Sequence, residues 1–183
     1  SQCRQDLLIA MISQLKPGVI IEVGATDGKL LSNSYMLESR LYWDSILVEP
    51  ARFWRNKLIV NRNKAALIFD AVYHSPNLTI SFTETKYAEL SGITNSIAAD
   101  FWSSERKNSL NYEVKSTTLD LIYDDKVTNE KFLAVSIDIE GGELDALFGF
   151  AKNLSKANLL VIENNGNMEL IDKMDEILLN KSF

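Results

Sequence analysis

Cysteine is almost missing from this chain of 183 residues: Cys3 is the only one. A single thiol cannot close an internal disulfide, and alone it cannot build a zinc site. That fits a reducing, cytoplasmic setting. Histidine is equally scarce, and His74 is the sole imidazole. No apolar run reaches the roughly 18 residues of a membrane span. The first residues, with Arg4, Gln5 and Asp6 around a short amphipathic pattern, do not read as a signal peptide. Positive charge is short as well. Lys and Arg number 19 against 25 Asp and Glu, a net charge of -6. This argues against a dedicated nucleic-acid binder, which needs clustered cations for phosphates. The three prolines all mark boundaries. Pro17-Gly18 stops a helix, Pro50 closes a strand, and Pro76 sits in a Ser75-Pro76-Asn77 turn.

What is present is ordinary for a globular protein, 46% hydrophobic and 24% charged. The length suits one domain, residues 1–183, with a substantial core. The chain starts at Ser1 rather than Met, the mark of a processed or trimmed chain.

Periodicity predicts helices over 6–15, 31–40, 53–60, 143–150 and 168–179, and a short one over 119–123 capped by Thr117-Thr118. In the first helix Leu7, Leu8, Met11, Ile12 and Leu15 share one face. Apolar runs predict strands over 19–23, 45–48, 66–73, 132–137 and 159–162. Residues 78–82 alternate as a half-exposed strand would. The stretch 84–112 is weakly periodic and polar, and loops of that length are usually functional or mobile. Strands alternating with helices at this spacing give an α/β fold, a Rossmann-like doubly wound, mostly parallel sheet.

The first strand runs into Gly24-Ala25-Thr26-Asp27-Gly28. A strand, a tight loop and a helix is the layout in which backbone N–H groups face a ligand. The glycines are spaced G-x-x-x-G. A dinucleotide fingerprint wants G-x-G-x-x-G, and a phosphate loop wants G-x-x-x-x-G-K-[ST]. A nicotinamide oxidoreductase is therefore disfavoured. The loop admits close approach without being built around a pyrophosphate, and it also reads as a plain turn. Glu49 decides more. It ends the second strand about 20 residues on, where a carboxylate can accept both hydroxyls of a ribose; the alternative is a surface Glu in a turn. Asp70-Ala71 at the third strand could border an adenine, or be strand-end residues only.

Taken together, the first loop, Ser32-Asn33-Ser34, Val48-Glu49-Pro50, Ser91-Gly92-Ile93, Thr118-Leu119-Asp120 and above all Ser136-Ile137-Asp138-Ile139-Glu140-Gly141-Gly142-Glu143 resemble the FkbM-type S-adenosylmethionine-dependent methyltransferases. The matches run in the family's order from about residue 19 to residue 163. The resemblance implies a class I methyltransferase sheet, S-adenosylmethionine as cofactor, and transfer to a hydroxyl of a sugar, glycan or natural product. It implies that Glu22, Gly24, Ala25, Asp27 and Gly28 frame the methionine end, with Ser32 and Asn33 close by. Glu49 and Pro50 would meet the ribose, and Asp70 and Ala71 the adenine. A cationic sulfonium with an ammonium group suits a pocket rich in carboxylates.

Asp138 and Glu140 fall at the carboxyl end of the fourth strand, beside the first, at the topological switch point. They are the candidate catalytic residues, Asp138 preferred near the methyl or the acceptor hydroxyl; the alternative for Glu140 is to cap Gly141-Gly142 or the next helix. Glu143 and Asp145, in the first helical turn, suit the helix dipole. His74 reads as a solvated turn residue before a base. Asp138 with Glu163 and Asn164 resembles the magnesium ligands of catechol-type O-methyltransferases, but Glu stands where Asp is expected, so no metal is assigned. Arg52, Arg55, Lys57, Arg62 and Lys64 read as a solvated helix face and its exit loop, open to an anionic partner. Trp43, Trp54 and Trp102 are core or, for Phe101-Trp102, substrate contacts.

Two expectations concern the chain as a whole. The rival to an enzyme is a regulatory module that keeps the fold and binds cofactor without turnover. Methyltransferases of this class usually add an antiparallel strand pair after the fifth strand, and only some 20 residues follow Glu163. The chain is then a fragment with neighbouring domains, or its sheet is completed by a partner chain such as a second copy. Either way the sheet edge is expected to be covered.

Overall fold

The computed structural model describes residues 1–97, 109–128, 131–164, 166 and 168–180. In chain order its elements are α1 (Gln5–Ile12), β1 (Gly18–Val23), α2 (Tyr35–Leu41), β2 (Asp44–Val48), α3 (Arg52–Asn61), β3 (Ala66–Ile68), β4 (Ala71–Val72), β5 (Thr79–Glu84), β6 (Gly92–Ile93), β7 (Leu110–Thr117), α4 (Leu119–Lys126), β8 (Phe132–Ile137), α5 (Glu143–Phe148), β9 (Leu159–Ile162) and α6 (Met168–Asn180). Every residue of β1 is buried, as expected of a strand covered on both faces. It is the central strand of a five-stranded sheet of order β3-β2-β1-β8-β9, with every pairing parallel. Val19, Ile21 and Val23 face a core completed by Leu119, Ile122, Leu147 and Met174. Ile20 and Ala134 face Ile9, Ala10, Leu37 and Trp43. The chain winds outward through β2 and β3, then returns to β8 on the other side of β1. That reversal opens a crevice at the carboxyl ends of β1 and β8.

A second sheet, order β4-β7-β5-β6, stands beside the first. It corrects two expectations. Residues 66–73 are not one strand: the chain leaves the main sheet after Ile68 and pairs Ala71 and Val72 with Ser116 and Thr117. The stretch 84–112 is not wholly irregular either. It holds a 3-10 turn over Ala88–Leu90, the strand β6 and the start of β7, which pairs antiparallel with β5. Phe101 and Trp102 lie outside the described residues.

Helix α2 begins at Tyr35, not near Leu31. Leu31 has φ +60, and Ser32 to Ser34 are tied down elsewhere. Helix α1 packs through Ile9 and Ala10, so its apolar face at Leu7, Leu8, Met11 and Ile12 is left outside. Strand β9 pairs with β8 alone, and among the described residues no strand covers its other edge. Helix α6 folds onto the sheet face through Met174.

The second sheet is fastened to the first layer at the start of α3. Ala51, the residue preceding that helix, offers no side-chain cap, so the first N–H groups need other acceptors. Arg52 N–H donates to Tyr112 Oη at 3.0 Å, and Phe53 N–H to Glu84 Oε2 at 3.1 Å. Tyr112 O–H donates to the same Glu84 oxygen at 2.7 Å. Burial and then that hydrogen bond push the Tyr112 phenol well above its ordinary range. Tyr112→Phe should cost about 1 kcal/mol, since it orphans one helical N–H and one carboxylate contact. Urea unfolding measures this, and an unchanged midpoint and slope would refute the role given to the phenol.

Candidate active site

The crevice holds a cavity of about 440 Å³. Its walls begin with the loop after β1. Gly24 has φ +85, and a Cβ there would lie 1.8 Å from the Asp138 carbonyl oxygen. Only glycine lets the β1 and β8 exits touch. Gly24 and Ala25 N–H both donate to Val48 O, at 3.0 and 3.2 Å. The loop is thereby bound to β2 on one side and packed on β8 on the other.

Glu22 is the hub beneath the loop. It is 4% exposed in the middle of the sheet. Its Oε1 accepts from Asn33 N–H at 2.6 Å, and its Oε2 from the Ser32 hydroxyl at 2.9 Å and from the Ser34 hydroxyl. Arg62 closes the network from α3's exit. Its guanidinium donates to Gly28 O at 2.8 Å, Ser34 Oγ at 2.9 Å and Glu38 Oε2 at 2.7 Å. At 1% exposure Arg62 is no part of a solvated face. The sequence gives no sign of this, because Arg62 continues a run of basic residues that are otherwise outside. Asp27 Oδ1 takes the N–H groups of Lys29 and Leu30, both at 2.8 Å.

At the other end of the cavity stands Glu49, 5% exposed. Thr26 N–H donates to one of its oxygens and Ala51 N–H to the other, each at 2.8 Å. Burial raises its pKa to about 7 against these two hydrogen bonds, with a smaller push from Glu84. Trp54, Ala71, Phe82, Ala88 and Ile93 form an apolar wall beside it, joining α3 to the second sheet. Trp54, a core residue by its sequence pattern, and Phe82, an inward position of an alternating strand, both line the cavity.

Asp138, Glu140 and Glu163 gather at the mouth, their nearest carboxylate oxygens all within 4.8 Å of one another. Loss of solvent around it and then the hydrogen-bonded Glu163 carboxylate push the Asp138 carboxyl up. Asp138 keeps an open side toward the cavity, which weakens the first of these causes. The three acids could hold a cation, but exposed acidic groups commonly cluster without one. Asn164, expected with Asp138 and Glu163, instead accepts Gly166 N–H at 2.9 Å. Glu143 is 1% exposed, and its carboxylate accepts from Ile139 and Gly141 N–H, both at 3.1 Å. It pins the turn that carries Asp138 and Glu140, and burial raises its pKa.

Glu22, Gly24, Ala25, Asp27, Ser32, Asn33, Glu49, Pro50, Ala71, Asp138 and Glu140 all line the cavity. Gly28 and Asp70 do not. A Cβ on Gly28 would meet Leu58 and Arg62, so that glycine serves helix packing. Asp70 lies in the kink between β3 and β4. His74 is exposed outside the cavity, its Nδ1 2.8 Å from Ser75 Oγ. Two buried polar atoms of lining residues, Asn33 Oδ1 and Trp54 Nε1, have no partner among the described residues. Such groups are costly to leave unmet.

The Glu49 shift sets a pH dependence. In the folded protein the carboxyl holds its proton up to about 7, against 4.5 unfolded. Between those values the folded state binds the extra proton, so stability falls as pH rises through that window, by on the order of 3 kcal/mol in total. Unfolding free energies of the ligand-free wild type and Glu49→Ala, compared at pH 5, just above the lower limit, and pH 8, about one unit above the upper, should differ in slope. Parallel curves for the two proteins would remove the assignment.

Residues 22–183 match the family model described as the methyltransferase FkbM domain. A crystal structure of methyltransferase FkbM from Methylobacillus flagellatus KT superposes with a TM-score of 0.54 at 17% identity, over 89% of this chain and 37% of that one. This chain thus spans little more than a third of that structure's length. Nothing matches among curated proteins. With 162 of its 183 residues inside the family model, the chain belongs to the methyltransferase FkbM domain family.

Proposed function

We propose that the chain is an S-adenosylmethionine-dependent O-methyltransferase whose cavity holds the cofactor and whose mouth receives an acceptor hydroxyl of a sugar, glycan or natural product. Glu49 carries this reading. Each of its oxygens is anchored by one backbone N–H and retains a lone pair for a hydroxyl of a ribose. The apolar wall of Trp54, Ala71 and Phe82 suits a heteroaromatic base beside that ribose. Asp70, outside the lining, takes no part in this arrangement.

The bound cofactor would supply an electrophilic methyl on a cationic sulfonium. Asp138, at the mouth, accepts the acceptor's proton as the new carbon–oxygen bond forms. Its raised pKa suits that task near neutral pH. Glu143 holds the turn beneath it, and Gly24 fixes its distance from the cofactor loop. Residues 89–92 line the same cavity, and Gly92 lies against Ile139 beside Asp138, on the side where the acceptor would lie.

Calorimetric titration with S-adenosylmethionine tests the binding half. Glu49→Ala should weaken affinity about 100-fold, the loss of charged hydrogen bonds worth on the order of 3 kcal/mol; equal affinities would sink the ribose assignment. The chemical half is separate. In a screen of sugars and small alcohols, Asp138→Asn should lower turnover by about 10²- to 10⁴-fold while cofactor affinity holds. Full turnover in that variant would place the base elsewhere.

A further inference from the structure

Glu49 is a buried acid without a counter-charge. Among the described residues its side chain accepts only from the N–H groups of Thr26 and Ala51. No Lys, Arg or His among them lines the cavity it faces. The cations of the neighbouring helix α3 are exposed and lie against aromatic rings instead. The Arg52 guanidinium is 3.9 Å from the Tyr112 ring centre, that of Arg55 is 4.3 Å from Phe69, and the Lys57 ammonium is 4.8 Å from Phe53. Arg62, beyond the helix, is engaged by Glu38.

The acids around Glu49 give it no help. Glu84, on β5, adds its like charge to the effect of burial. Asp27, in the loop after β1, accepts from Lys29 and Leu30 N–H, and Glu22, on β1, from Ser32, Asn33 and Ser34. Asp70, in the kink between β3 and β4, lies outside the cavity lining. Glu89, Asp138, Glu140 and Glu163 are the remaining acids of that lining. A carboxyl removed from water, with like charges about it and no cation, is costly to ionise.

Lone-pair geometry adds a second constraint. An ionised carboxylate has about four acceptor sites. In Glu49 the backbone takes one on each oxygen. The pair left over is the pair that the two hydroxyls of a ribose would use, and a carboxyl proton occupies one of them. The proton and the diol therefore compete for the same place.

We propose that cofactor loading expels a proton from Glu49, so that the site fills more readily as pH rises through neutrality. This rests on the reading of Glu49 as the ribose anchor. One O–H bond of the carboxyl breaks, its electron pair stays on the oxygen, and the proton passes to the solvent. Acidification returns the proton and empties the site, so pH regulates how much of the protein carries cofactor. Burial supports this, since it holds the proton on the ligand-free carboxyl up to about 7.

Calorimetric titration in two buffers of different ionisation enthalpy counts the protons. Methylthioadenosine is the probe, because it carries the base and the ribose but no group that titrates near neutrality. Its binding to wild type should release most of one proton at about pH 6 and roughly a tenth of one at about pH 8, with affinity about tenfold higher at the upper value. Glu49→Gln, with an unchanged circular dichroism spectrum, should abolish the release and flatten the affinity. Binding to wild type with no proton exchange and equal affinity at both values would overturn the proposal while leaving the cofactor pocket in place. Release that persists undiminished in Glu49→Gln would overturn it too, by placing the proton on another acid such as Asp138. Failure of folded wild type to bind either methylthioadenosine or S-adenosylmethionine at any pH would sink the pocket itself, and the proposal with it.

Discussion

A carboxylate buried in the central strand sets the terms for everything at the crevice. Glu22 occupies a position that packing alone would give to an aliphatic residue. A buried charge is tolerated only when its oxygens are met, and here the chain itself meets them. Ser32, Asn33 and Ser34 fold back onto Glu22, which delays α2 until Tyr35. Arg62 then balances the charge through the same hydroxyls while holding Gly28 and Glu38. The cavity wall is thus rigid because one acid in β1 demanded partners, and the nearest partners were the loop. Glu143 repeats the device on β8's side, taking two N–H groups of the turn that bears Asp138.

The main sheet was legible because its strands are buried on both faces and read as apolar runs. Val19 to Val23 and Phe132 to Ile137 needed no tertiary information. Of the second sheet only β5 was, because β7 exposes half of its residues and carries a weak alternation around Tyr112, Val114 and Ser116. The break at Phe69-Asp70 was hidden for a related reason: both short strands are apolar, and only their partners differ. For α1 the pattern was real but its direction was not. Periodicity says which residues share a face and never which face the protein takes.

Of the site, the residues on strand ends were legible by spacing, since topology alone brings Glu49 and Asp138 to the crevice. What spacing could not separate is which acids are used up by the protein. Hydrogen bonding separates them. Glu22 is surrounded by loop donors and Glu143 by the turn it pins, so both act on the site through backbone. Asp27 likewise spends one oxygen on the N–H groups of Lys29 and Leu30. Glu49 differs, because each oxygen has a single backbone donor and the cavity lies beyond it. Burial makes its charge expensive, and its raised pKa measures that expense. A ligand offering hydroxyl donors would lower the cost of ionisation, since hydrogen bonds to the charged form favour it. The same carboxylate is therefore a weak point of the empty fold and, in the proposed reading, the strongest hold on an occupant. In the proposed reading that coupling, rather than the glycine loop beside it, is what would turn the crevice from a gap between strands into a binding site.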